Sequence, residues 1–200
     1  ATVKCWGNNA SGQLGQGDTT QRGDGPNELG NNLPAVQLGT GRTVTALATG
    51  DAHTCAVRDN ATVKCRGYNG SGRLGLGDTA TRGDGAGEMG DSLPVVNLGS
   101  GRLTTGLSAG EAHTCAVLDN ATVKCWGFNN SGQLGQGNTT TRGDGANEMG
   151  NSLVVTSLGT GRTATAITSG GPHSCARLDN AAVKCWGENQ SGDLGLGDTN

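Results

Sequence analysis

Apolar and polar positions alternate along this chain in short runs broken by turns. In HTCAVRDNATVKC, residues 53–65, Cys55 and Val57 share one parity before a polar turn, and Val63 and Cys65 share one after it. Side chains of an extended strand point to opposite faces in alternation, so each run predicts a strand and the pair predicts a hairpin. With Asn60 at the apex, Arg58 faces Thr62, Val57 faces Val63 and Cys55 faces Cys65, while Ala56 and Lys64 take the other face. RTVTALATG at 42–50 alternates in the same way and predicts a third strand. Gly72 to Gly90 is dense in Gly, Asp and Thr and predicts loop, with Leu74 and Leu76 alternating as a short strand would. Glycine interrupts nearly every window of ten residues, and no segment carries a 3.6-residue period long enough for a helix.

The pattern recurs with a period of sixty. Cys5, Cys65, Cys125 and Cys185 are evenly spaced, as are Cys55, Cys115 and Cys175. Residues 1–200 therefore form a single tandem-repeat segment, divided as 1–50 (part of a unit with its loop), 51–110, 111–170 and 171–200 (a second part). The first residues, ATVKCWG, copy the interior of a unit, so any signal peptide is expected to lie outside this sequence.

Directly opposed residues in a non-hydrogen-bonded antiparallel pair lie about 4.5 Å apart at Cα, within the range a disulfide tolerates. The predicted bridges are Cys55 with Cys65, Cys115 with Cys125 and Cys175 with Cys185. Cys5 is then the second half of a hairpin whose first half precedes residue 1. The competing reading is that these cysteines are reduced and serve as small buried hydrophobes. No CxxC pair points to zinc.

Composition narrows the picture. Gly accounts for 38 of the 200 residues and aromatics for 2%, so cores must be built from small side chains and tight turns. A net charge of −3 from 14 basic and 17 acidic residues is too small to favour disorder and offers no basic patch, so nucleic acid is not expected as a partner. No apolar run approaches the ~18 residues of a membrane span.

HTCAVLDNATVKCWGFNNSGQLGQGNTT, residues 113–140, resembles the repeat of the regulator of chromosome condensation family: a histidine-led strand, a turn, a strand ending in Trp-Gly and a Gly-Gln-Leu-Gly loop. The resemblance extends over essentially the whole chain. It implies an all-β propeller with one four-stranded antiparallel blade per unit, here about three blades plus a partial one, as an incomplete ring or part of a larger assembly. The cysteine-bearing form looks like the variants of large secreted or surface proteins. Two departures stand out. Arg66 occupies the place of Trp6, Trp126 and Trp186, and Ala61, Ala121 and Ala181 occupy a turn position where the family uses glycine. The founding member promotes nucleotide exchange on a small GTPase and binds chromatin, but no residue here matches such a site.

Several repeated side chains are candidate sites, each with a structural alternative. Asn9, Asn60, Asn69, Asn120, Asn129, Asn138 and Asn189 stand in Asn-x-Ser/Thr sequons, and glycans there compete with turns that asparagine stabilises by itself. Arg22-Gly23-Asp24, Arg82-Gly83-Asp84 and Arg142-Gly143-Asp144 spell an adhesion tripeptide that serves equally as a turn. Asp18, Asp24 and Glu28, then Asp78, Asp84 and Glu88, then Asn138, Asp144 and Glu148, place oxygen ligands on one loop, as calcium prefers; Asx turns and ion pairs with the nearby Arg are the alternative. No cofactor is otherwise expected. His53, His113 and His173 lie on separate blades and read as strand-end histidines bonded to backbone. No unit holds a nucleophile, base and orienting acid together, so catalysis is not expected.

The expected function is an extracellular or cell-surface structural or adhesive module. It would assemble with or bind other protein chains, copies of itself in a fibre or completed ring among them, and glycans are a further possible partner. The alternatives are a specific protein-binding or inhibitor propeller and, further off, a nucleotide-exchange factor. A specific binder should diverge at the loop tips of one face. Here the loops are near copies, which favours the array.

Overall fold

The computed structural model describes residues 2–199. The strands pair as hairpins in three sheets. β1 (Val44–Thr49), β2 (His53–Arg58) and β3 (Val63–Gly67) form the first. β4 (Thr104–Ala109), β5 (His113–Leu118) and β6 (Val123–Gly127) form the second. β7 (Ala164–Gly170), β8 (His173–Leu178) and β9 (Val183–Gly187) form the third. Each sheet is antiparallel and keeps sequence order. The register matches the sequence expectation, with Val57 opposite Val63, Ala56 opposite Lys64 and Cys55 opposite Cys65.

The expected fourth strand is reduced to isolated contacts. Gly67 exchanges both backbone bonds with Arg82, and Val96 N–H donates to Val63 O at 2.9 Å, so the outer edge of β3 is touched at its two ends by the returning loop. Between those ends the Gly- and Asp-rich segment turns too often to maintain a ladder. Residues 72–77 are also turns, so Leu74 and Leu76 do not form the short strand their alternation suggests. Gly75 explains part of this. Its φ is +69°, and a Cβ there would run into Trp126 and Met149 of the next blade.

The cores lie between blades. One cluster joins Cys55, Val57, Val63 and Cys65 of the first sheet to Ala116, Leu118 and Trp126 of the second. Another joins Cys115, Val117, Val123 and Cys125 to Ala164, Ala176 and Leu178 of the third. A third joins Val3, Val36 and Leu38 of the N-terminal segment to Ala56 and Leu93. The disulfide face of one blade thus meets the Ala/Leu face of the next. Blades covered on both sides bury β2, β3, β5 and β6 along their whole length, whereas β8 and β9, covered on one side, keep exposed positions.

Candidate protein-interaction surfaces

The repeated polar side chains first have to be separated into those that build the arc and those left over. The cysteine pairs build it: Cys55–Cys65, Cys115–Cys125 and Cys175–Cys185 are disulfides with Cα separations of 4.1, 4.1 and 4.0 Å. Cys5 is a half-buried free thiol 3.1 Å from Arg66 Nη2. Arg66 is buried where the other units place Trp. Its Nε donates to Gln13 O at 3.2 Å, as the indoles of Trp126 and Trp186 donate to Arg73 O and Gln133 O. The guanidinium reproduces the indole N–H but adds a charge, and burial lowers its pKa while Nη1 has no partner.

The histidines also build the arc, in a way the sequence reading missed. They were expected to bond backbone; instead His53 Nε2 meets the Thr114 hydroxyl of the next blade at 2.9 Å, and His113 Nε2 meets that of Ser174 at 2.8 Å. Each hydroxyl in turn donates to a loop carbonyl, Thr114 to Arg73 O and Ser174 to Gln133 O, the same carbonyls that take the indole bonds. A histidine, a hydroxyl, a carbonyl and an indole therefore latch each seam. The lysines were placed on the second strand face but not expected to be buried. Lys64 donates to Gly90 O at 2.7 Å, and Lys124 donates to Gly150 O at 2.6 Å and Leu98 O at 3.1 Å.

The loop asparagines clamp their own loops. Asn9 and Asn129 spend both amide hydrogens on carbonyls, those of Asp18 and Thr20 and of Asn138 and Thr140. Asn69 and Asn189 donate to Asp78 and Asp198. All four accept the N–H of the leucine five residues on. These four sequons are buried, so a sugar on Nδ2 would displace the clamp; Asn60, Asn120 and Asn138 are exposed.

The loop carboxylates are engaged as well. Glu28 Oε2 accepts from the N–H groups of Gly23, Asp24 and Gly25, which hold its pKa below the ordinary value. Glu88 and Glu148 repeat this with Gly83 and Gly85 and with Gly143 and Gly145. Asp18 and Asp78 pair with Arg22 and Arg82 at 2.8 and 2.9 Å, which turns these arginines back into their own loops. Gly23, Gly83 and Gly143 sit at φ of +94°, +93° and +93°, so the Arg-Gly-Asp tripeptides are turns. Among the described residues no three acidic, histidine or cysteine side chains converge as a metal site.

Two kinds of surface remain. The first is the pair of end faces. Trp6 is 64% exposed although its equivalent Trp126 is fully buried, and Leu29 beside it is exposed. At the other end Val183 is 64% exposed where Val63 and Val123 are 1% and 0%, and Leu196 is exposed too. Arg177 stands there in place of Val57 and Val117.

The second is a groove of about 390 Å³ along the seam loops, lined by Arg73, Glu111, Phe128, Gln133, Pro172 and Glu188, with Ser71, Ser131 and small backbone contacts. Its lining draws on three repeat positions that change chemistry from unit to unit. One carries Asn8, Tyr68, Phe128 and Glu188; the next Gln13, Arg73, Gln133 and Asp193; the third Asp51, Glu111 and Gly171. Divergence at the loop tips of one face is the mark assigned above to a specific binder, and these three of the varying repeat positions adjoin at one groove. Superposing the units at sixty-residue offsets shows which positions diverge, but only the fold shows that they adjoin.

Among the described residues no helix is long and apolar enough to cross a membrane. Models of the regulator of chromosome condensation (RCC1) repeat match residues 3–57, 44–73, 105–133 and 164–193. The chain is 31% identical over 201 residues to the ultraviolet-B receptor UVR8 of Arabidopsis thaliana, covering 98% of this chain and 39% of that protein. It is 27% identical over 173 residues to the X-linked retinitis pigmentosa GTPase regulator of Canis lupus familiaris, covering 86% of this chain and 16% of the relative. It thus spans two fifths or less of the length of these relatives. Among solved structures, Prp20p of Saccharomyces cerevisiae superposes with a TM-score of 0.70 at 20% identity, over 99% of this chain and 44% of that one, a likeness of fold. With the repeat models matched in every unit and the blades and seams built as described, this chain belongs to the regulator of chromosome condensation repeat family.

Proposed function

We propose that this chain is a protein-interaction module of a secreted or cell-surface protein, which assembles with or holds other protein chains through its propeller surfaces. The observation that carries this reading is the packing of the blades, in which the disulfide face of each unit is covered by the apolar face of the next. Trp6 and Val183 are exposed although the seams within the arc bury their equivalents Trp126, Val63 and Val123. Burying apolar area of this kind contributes about 25 cal/mol per Å², so each face favours a covering chain, whether the next unit of one polypeptide or a second copy. Three disulfides support an oxidising compartment. Prp20p binds Gsp1p and histones, so the fold serves protein partners elsewhere.

Sedimentation velocity of the 200-residue chain between about 1 and 100 µM tests the reading, with tryptophan emission followed in parallel. Association with a blue shift of emission is expected, and Trp6→Ser should abolish both. A monomer at every concentration with unchanged emission overturns it. A second reading, recognition of a specific partner, is favoured by the groove, where the repeat positions diverge.

A further inference from the structure

The groove says what such a partner carries. The chain has one tyrosine and one phenylalanine. Neither is in a core. Both occupy the same repeat position, Tyr68 and Phe128, on the loop face, and Tyr68 is 45% exposed. In a chain so poor in aromatics, placing both at one surface position is not required by packing. Aromatic side chains at a groove supply rigid contact area and, over their faces, a site for cations.

The first of the two positions shows the contact already made. Arg73 Cζ lies 4.9 Å from the Tyr68 ring centroid, and the Arg73 guanidinium also donates to Glu111 O at 3.2 Å. In the next unit the aromatic is kept but the cation is lost: Phe128 is half-buried, and Gln133 stands in the place of Arg73. Glu188 and Glu111 border the same groove, and among the described residues neither carboxylate forms an ion pair, in contrast to Asp18, Asp59, Asp78, Asp119, Glu148 and Asp179. The groove itself holds Glu111 and Glu188 against Arg73 alone, a net charge of −1.

We infer that the groove between the second and third blades takes a lysine or arginine side chain from an extended, basic segment of a partner protein, seated over Phe128 and flanked by Glu111 and Glu188. The incoming cation does at Phe128 what Arg73 does at Tyr68. The inference rests on the specific-partner reading and is independent of association through the end faces.

The probe is a fluorescein-labelled Gly-Arg-Gly-Lys-Gly-Arg-Gly peptide, with a Gly-Glu alternating peptide as control, followed by fluorescence anisotropy at 0.15 M salt on the intact disulfide-bonded chain. The basic peptide should bind and the acidic one should not. Phe128→Ala and Phe128→Leu should each weaken binding about 3- to 10-fold, Leu keeping the apolar bulk while removing the ring face. Glu111→Gln with Glu188→Gln should weaken it about tenfold or more. Asp24→Asn with Asp84→Asn removes the same charge outside the groove and should change affinity less than twofold, because at this salt charges beyond about 8 Å are screened. Three results overturn the inference: no binding of the basic peptide; Phe128→Leu binding as well as the parent; or the control pair losing as much as the groove pair, which would mean general charge attraction. Trp6→Ser, read by sedimentation, leaves this assay untouched, so the two readings fail separately.

Discussion

Acid should loosen the seams before it unfolds the blades. Thr114 has one hydroxyl proton and gives it to Arg73 O, so it accepts from His53, which fixes the proton of the neutral imidazole on Nε2. Ser174 and Gln133 O impose the same state on His113. In both rings Nδ1 is buried without a partner, so a second proton would enter a dry seam with no acceptor. Burial first, then the charges of Arg73 and His113, pushes the His53 pKa down to about 3. Burial first, then His173, pushes that of His113 down to about 4. The unfolded chain takes up these protons near the ordinary value of 6.5, the folded chain far lower. The seams therefore contribute their full stability above pH 6.5 and lose it as pH falls toward the folded values. At 1.36 kcal/mol per pKa unit, the two units between pH 6.5 and 4.5 cost about 3 kcal/mol for each histidine and roughly 5 for both, a large share of the 5–15 kcal/mol that holds an ordinary domain together.

Urea denaturation at pH 7.5 and 4.5 measures this directly, with Trp126 as a buried reporter inside the seam. A loss of about 5 kcal/mol is expected in the parent. His53→Gln with His113→Gln keeps an N–H donor facing each hydroxyl but cannot titrate, so the difference between the two pH values should largely vanish. Glu28 and Glu88, whose pKa values are lowered, add their share only further into acid and do so equally in parent and variant. Equal losses in parent and double variant between pH 7.5 and 4.5 would refute the seam argument.

Other outcomes follow from single contacts. Cys55→Ala with Cys65→Ala reopens a short loop and should lower stability by roughly 2–3 kcal/mol by denaturant titration, while alkylation without reductant should label Cys5 alone. Ala61, at φ +58°, occupies a left-handed turn, so Ala61→Gly should raise stability by about 0.5–1 kcal/mol in the same assay. Arg66→Trp exchanges a buried guanidinium with an unpartnered Nη1 for the indole used at Trp126, and should raise the melting temperature, with the free energy gained about 1–3 kcal/mol. Since the loop carboxylates already bond to N–H groups or arginines, calcium or a chelator should leave the melting temperature unchanged within about 1 °C.

The hairpins were legible because a register is a local matter. Once Asn60 is set at the apex, period two alone puts Cys55 opposite Cys65, and the structure repeats that pairing in all three blades. The left-handed alanines were flagged by the family resemblance, which puts glycine at that turn, and all three have positive φ. The fourth strand was less legible, because the edge of β3 is touched by Arg82 and Val96 across a glycine-rich segment whose pairing no periodicity records. The burial of Lys64 and Asn69 was not legible for a related reason. Lys64 and Asn69 are polar by composition but bury their polar ends on the carbonyls of Gly90 and Asp78, and a carbonyl acceptor leaves no trace in a side-chain pattern.

What lies between units obeys a different logic. A position such as that of Tyr68 and Phe128 looks like noise along one unit and becomes a variable only when units are superposed, and its neighbours in space include residues of the next unit. Glu111, for example, meets the loop of Arg73 thirty-eight residues earlier. Near-copy loops were taken to favour an array because identity was weighed over whole loops. The fold weighs it by location. Identical residues such as Asn69, Gly75 and Glu88 are held identical by clamps, steric contact and turn capping, while Glu111, Phe128 and Glu188 carry none of those duties and line the groove. In a repeat this tightly constrained, the few side chains released from building the arc are the ones available for recognition, and at this groove they are aromatic and acidic.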